Sequence, residues 1–155
     1  MQPEGLNSTP SATPCSIERS AVNMNVMVDP TASQADPKCI LVVEDDDAIR
    51  DLIAEILDSA GYRVERAADG LQALGKVPAA RPDVVVLDLM MPIMDGWTFL
   101  EQFRQIPDYI GTPVVATSTY GSQSERQTAR ELQVQAYLAK PFDVDMLVGV
   151  VARLL

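Results

Sequence analysis

Histidine is absent from all 155 residues of this chain. That absence excludes imidazole catalysis, a histidine-ligated metal and phosphohistidine on this polypeptide. Cysteine is nearly absent: Cys15 and Cys39 have no metal-ligand spacing and make a weak disulfide pair. Cys39 reads as a small buried apolar residue. No run of Lys or Arg occurs, so no stripe that would neutralise a nucleic-acid backbone is evident. No apolar stretch reaches the roughly 18 residues that span a bilayer. The N-terminus lacks a basic region followed by an apolar one, so no signal peptide is expected. Together these absences fit a reducing cytoplasm, away from membranes.

What is present is acidity and a core. The net charge is −10 and 47% of residues are hydrophobic. The first argues for cations or basic partner surfaces; the second suffices for one packed domain. Residues 1–37 are rich in Ser, Thr, Pro, Asn and Gln, and carry Glu4, Glu18, Asp29 and Asp36 against Arg19 alone. They read as a disordered tail, with the domain at 38–155.

From Lys38 onward, short apolar runs alternate with amphipathic segments. Cys39–Val43, Val84–Leu87, Pro113–Thr117 and Ala136–Ala139 read as strands, and Tyr62–Ala67 as a half-buried strand. Asp46 or Asp47 caps a helix with Ile49, Leu52, Ile53, Ile56 and Leu57 on one face, and Gly61 offers a left-handed end. Leu71–Val77 reads as a short helix stopped by Pro78. Asp95-Gly96 reads as a turn before a helix over Trp97–Ile106. Ser122–Leu132 is a polar helix, and Asp143 caps a last helix that runs to Leu155. Five strands alternating with helices predict an α/β fold, a parallel sheet covered on both faces.

The polar residues at the strand ends carry the chemistry. Glu44-Asp45 closes the first run, Asp88 the second buried run, Ser118 the next and Lys140 the last. In a parallel sheet those ends share one edge. Three carboxylates brought together repel one another, and oxygen-only ligands select a hard ion such as Mg²⁺. One carboxylate can also act as a nucleophile toward a phosphoryl donor.

The motifs ILVVEDDDAIR (40–50), VVVLDLMMPIMDG (84–96), PVVATS (113–118) and AYLAKPF (136–142) occur in order and together. By them, residues 38–155 resemble the receiver domain of two-component response regulators. The resemblance implies a flavodoxin-like sheet of order 2-1-3-4-5. It implies Asp88 as phosphoacceptor, with Glu44, Asp45, Asp88 and the Met90 backbone carbonyl around Mg²⁺. It implies Lys140 and Ser118 as the groups that meet the phosphoryl oxygens. Ser118 and Tyr137 would be the switch pair, and Lys140-Pro141 a cis peptide bond. A histidine kinase or histidine phosphotransfer protein would supply the phosphoryl group. An unknown downstream protein would read the 122–155 face, with no nucleic acid and no membrane involved. The chain would be a stand-alone receiver, an enzyme only toward its own phosphorylation and dephosphorylation.

Two alternatives compete. An aspartyl-phosphate phosphatase or phosphotransferase of the haloacid-dehalogenase kind places Asp two residues after its nucleophile; Met90 stands there. A pseudo-receiver would lack part of the residue set, which is complete. Two departures from the family pattern also matter. Thr119 and Tyr120 occupy slots near the route of water to the phosphate, which predicts a long-lived phosphoaspartate. Gln133-Val134-Gln135 offers no glycine to end the preceding helix, which predicts fraying or a different cap.

Overall fold

A computed structural model describes residues 35–155. The tail assigned to 1–37 falls, but for its last three residues, outside them. Five strands form one sheet: β1 (Cys39–Val43), β2 (Arg63–Ala67), β3 (Val84–Asp88), β4 (Val114–Ser118) and β5 (Ala136–Ala139). Five helices follow them in turn: α1 (Asp47–Ser59), α2 (Gly70–Ala80), α3 (Gly96–Phe103), α4 (Gln123–Glu131) and α5 (Val144–Leu154). The strand order is β2-β1-β3-β4-β5 and every pairing is parallel. This is the expected α/β fold.

The central strands read as continuous apolar runs because both their faces are buried. Leu41, Val43, Val85, Leu87, Val114 and Ala116 face a core completed by Ala73 and Val77 of α2 and Phe99, Leu100 and Phe103 of α3. Ile40, Val42, Val84, Val86 and Val115 face the other, where Ile53 and Leu57 of α1 meet Leu147 and Val151 of α5. The period of two is intact, hidden because both phases are apolar. Helix α4 stands apart, with Ala129 its one buried residue.

Local chemistry sets the helix ends. Asp46, Asp69, Asp95, Ser122 and Asp143 cap the five helices through side-chain oxygens that accept backbone N–H groups. Gly61 takes the left-handed conformation after α1, at φ 97°.

Two expectations are corrected. Pro78 does not stop α2, which runs on to Ala80 and ends at Arg81 with φ 48°. Proline deletes a single backbone donor, and in the last turn little helix remains for it to disrupt. Gly96 is the first residue of α3 rather than part of a free turn.

The missing glycine after α4 has a substitute. Gln133 itself adopts φ 58°. Its N–H donates to Arg130 O at 3.1 Å and Val134 N–H donates to Ala129 O at 2.8 Å, the two bonds of a Schellman end. Arg104, just past α3, clamps this turn. Its guanidinium donates to the carbonyls of Leu132 and Gln133 on one side, and of Tyr109, Ile110 and Thr112 on the other. The α4 end is capped in a different way, as one of the two sequence alternatives stated.

Candidate functional site

The register brings four strand ends to one edge. Val43 pairs with Leu87, so Glu44 and Asp88 leave neighbouring strands at one level. Asp88 pairs with Thr117, which sets Ser118 one residue further out, and Ser118 pairs with Ala139, just before Lys140. Positions 44, 45, 88, 118 and 140 are thereby neighbours although 96 residues separate Glu44 from Lys140. The crevice lies where the strand order reverses, between β1 and β3.

Carboxylate oxygens of Glu44, Asp45 and Asp88 lie within 4.8 Å of one another. Glu44 and Asp88 are buried, and Asp45 is exposed at the mouth. The Lys140 ammonium bridges the two buried acids, 2.7 Å from Glu44 Oε2 and 3.2 Å from Asp88 Oδ2. No nitrogen or sulfur ligand is in the cluster, so its donor set fits a hard oxygen-seeking divalent cation.

Three carboxylates gather around one ammonium, and burial adds to their mutual repulsion. Burial, with the Asp88 charge adding to it, pushes the Glu44 carboxyl up to about 7 against the pull of Lys140. Burial works to lower Lys140, but hydrogen bonds and charge from Glu44 and Asp88 outweigh it and leave the ammonium raised.

A pH dependence follows from the Glu44 shift. Folded protein holds the Glu44 proton up to about 7, whereas the unfolded chain releases it near the ordinary value of 4.5. The proton-linked stability of this group is therefore full at low pH and fades as pH rises toward 7. A bound divalent cation would replace that proton. The gain in Tm on adding Mg²⁺ is expected to be small at pH 5.5 and to grow through pH 7 to a plateau near pH 8. A thermal melt series with and without Mg²⁺ reads this directly; a pH-independent gain would contradict it.

Ser118 is fully buried, and its Oγ accepts the N–H of Tyr120 at 3.1 Å. Tyr137 is half-buried and donates its hydroxyl to the carbonyl of the same Tyr120. The two residues named as a switch pair therefore hold opposite ends of Tyr120. Met90 N–H donates to Asp88 Oδ1 at 3.1 Å, which fixes the carboxylate over the loop that carries the Met90 carbonyl. The Lys140-Pro141 peptide is cis, as the resemblance implied.

Two supporting residues escaped the sequence reading. Arg50 donates to the Glu44 carbonyl at 2.9 Å while it pairs with Asp47, tying the first turn of α1 to the acidic loop. Gly96 packs against the end of β3: a Cβ there would lie 2.4 Å from the Asp88 carbonyl oxygen and 2.7 Å from Leu89 Cα. The Asp-Gly pair signalled a turn, and nothing in the sequence signalled this close approach.

A parallel sheet with acids and a lysine gathered at its carboxyl edge is a doubly wound α/β fold with its crevice at the switch point. The chain belongs to the response regulator receiver domain family, which it matches over residues 40–152. It is 39% identical over 116 residues to sporulation initiation phosphotransferase F of Bacillus subtilis, covering 75% of this chain and 92% of that protein. It is 40% identical over 119 residues to the response regulator MprA of a Mycobacterium species, covering 77% of this chain and 51% of that protein. It is 34% identical over 116 residues to RpaA of Synechocystis, a DNA-binding transcriptional regulator, covering 75% of this chain and 48% of that protein. The chain thus spans about half the length of the last two. Among solved structures it resembles the chemotaxis protein CheY4 of Vibrio cholerae, with TM-score 0.73, 35% identity, and coverage of 77% of this chain and 99% of that one. No described helix is long and apolar enough to cross a membrane.

Proposed function

We propose that this receiver is a cytoplasmic phosphoryl-accepting switch that takes a phosphoryl group on Asp88 and acts through protein contacts. The observation that carries the reading is the Lys140 bridge between Glu44 and Asp88 beside a third carboxylate. An Asp88 carboxylate oxygen attacks the phosphorus of a phosphohistidine. The phosphorus–nitrogen bond breaks, its electrons return to the imidazole, and an acyl phosphate is left on Asp88. Lys140 is within reach of the new phosphoryl oxygens, and Ser118 offers a hydroxyl once it releases Tyr120.

Glu44, Asp45, Asp88 and the Met90 carbonyl would hold Mg²⁺, which when bound would neutralise both the clustered carboxylates and the phosphoryl oxygens. The donor histidine lies outside residues 1–155, which contain none. A histidine kinase or phosphotransfer protein fits. An apolar hollow of about 290 Å³ lies beside Lys140, lined by Ile49, Leu52, Thr119, Pro141 and Phe142 among others. It suits an apolar helix face that carries the donor histidine.

Phosphorylation adds charge and acceptor oxygens at the crevice. When Ser118 turns to them, Tyr120 loses one of its two anchors, and the segment bearing Tyr137 and α4 shifts between two arrangements. The downstream partner reads this change on the 122–155 face.

Intact mass after acetyl phosphate and Mg²⁺ tests the reading. The native chain gains one phosphoryl group, and Asp88→Asn gains none; turnover of a phosphate ester instead would favour the phosphatase alternative. Tyr120 is 66% exposed, and its backbone N–H is held by Ser118. Replacement of Tyr120 by Ala is expected to shorten the phosphoaspartate lifetime several-fold, read as decay of that added mass. An unchanged lifetime refutes the shielding.

A further inference from the structure

Arg126 and Arg130 lie one turn apart on α4, and both are exposed. Among the described residues neither has a carboxylate within ion-pair distance; the same holds for Lys76, Arg81, Arg104 and Arg153, but Arg126 and Arg130 are the two that share one helix. The acids of α4 are engaged elsewhere. Glu125 accepts the Ser122 N–H, and Glu131 accepts from Gln127. In a chain of net charge −10, two unpaired arginines side by side form a local cationic exception.

Between α4 and β5 lies a hollow of about 300 Å³, lined by both arginines with Ala129, Val134, Ala136 and Tyr137 among others. Strand β5 is at the edge of the sheet, so among the described residues its outward backbone groups have no strand partner. A cationic rim over apolar floor and open backbone suits an acidic peptide segment. A nucleic acid would call for a longer basic track.

The hollow is wired to the crevice. The Arg126 guanidinium carbon sits 6.0 Å from the centre of the Tyr137 ring, at cation–π range. It crosses Gly121, where an added Cβ would lie 3.3 Å from Arg126 Nη2 and 3.8 Å from Tyr137 Cε1. Tyr137 in turn holds the Tyr120 carbonyl, and Ser118 holds the Tyr120 N–H.

We propose that the α4–β5 hollow receives an acidic segment of the downstream partner, gripped by Arg126 and Arg130, and that its binding draws Arg126 off the Tyr137 ring. The inference rests on the reading of this face as the output surface and names the chemistry of its occupant. Segment binding and Asp88 phosphorylation are then coupled through Arg126, and the coupling is reciprocal.

The test uses the full chain and a short fluorescein-labelled oligoglutamate peptide, followed by anisotropy with and without acetyl phosphate and Mg²⁺. Binding is expected to weaken with added salt. Arg126→Gln and Arg130→Gln each lower the affinity about two- to fivefold, the scale of exposed ion pairs. Arg81→Gln, remote from the hollow, leaves it unchanged. Phosphorylation changes the affinity of the native chain, and Arg126→Gln diminishes that change. Equal binding by all variants overturns the proposal. So does preference for a single-stranded oligonucleotide over the peptide, or sedimentation showing that a second copy occupies this face. Intact mass of the same samples separates the layers. A native chain that takes no phosphate defeats the receiver reading itself. One that loads Asp88 while its peptide binding ignores the arginines defeats this inference alone.

Discussion

Replacing Gly96 by alanine is expected to abolish phosphorylation of Asp88, or cut its rate by orders of magnitude, in a protein that still contains Asp88, Asp45 and Lys140. The added methyl would start 2.4 Å from the Asp88 carbonyl oxygen and 2.7 Å from Leu89 Cα, and both obstacles are backbone. No rotamer change relieves such an overlap. Either β3 shifts outward or α3 backs away. Gly96 N–H donates to Leu89 O at 3.1 Å and Asp95 caps the helix, so the two elements are joined at this point. A shift moves the Asp88 carboxylate away from Lys140, and misplacement by about 1 Å is enough to cost roughly a hundredfold in reactivity. Alanine elsewhere in helices stabilises relative to glycine; here propensity loses to sterics. Acetyl phosphate loading followed by mass spectrometry measures the outcome. Native-like loading by Gly96→Ala would show that β3 and α3 yield without moving the site.

Lys140→Met is the second large effect. Among the described residues its ammonium is the one cation in contact with the Glu44 and Asp88 carboxylates, whose side chains are 3% and 4% exposed. Methionine fills similar space but leaves two buried acids without their counter-charge. Removing one partner of a buried pair costs about 3–5 kcal/mol. The loss depends on pH in a definite direction. Glu44 titrates at about 7 even with Lys140 present. Without the ammonium its folded value rises further, while the unfolded chain still ionises at its usual value. Destabilisation by Lys140→Met is therefore smallest in acid and grows as pH rises. Mg²⁺ should restore part of the lost Tm at pH 8 without restoring phosphorylation, since in the proposed reaction the lysine also meets the phosphoryl oxygens. Melts across pH, with and without Mg²⁺, check the first part. An equal Tm for both proteins at pH 8 would mean that the bridge adds nothing to stability.

The site was legible because each of its residues ends an apolar run, and a parallel sheet sends all such ends to one edge. Glu44, Asp45, Asp88, Ser118 and Lys140 needed only the alternation of strands and helices to be placed together. What stayed hidden depends on contacts with no local signature. Gly96 faces a backbone from another element. Arg104 finds five carbonyls on segments up to 29 residues away, and so lets Gln133 do the work of a glycine. Pro78 carries a local rule that predicted a stop, and the rule fails where the helix has only two residues left to run. Arg126 read as one more charge on a polar helix until the fold laid it over Tyr137.

Chemical mapping of the acceptor puts the central claim at greatest risk. The full chain is incubated with acetyl phosphate and Mg²⁺, the acyl phosphate is reduced with borohydride, and the digest is sequenced by tandem mass spectrometry. Conversion of Asp88 to homoserine, and its absence when Mg²⁺ is chelated, is the predicted result. Phosphate found on Ser118 or on another carboxylate, or loading at Asp88 indifferent to the metal, would contradict the account.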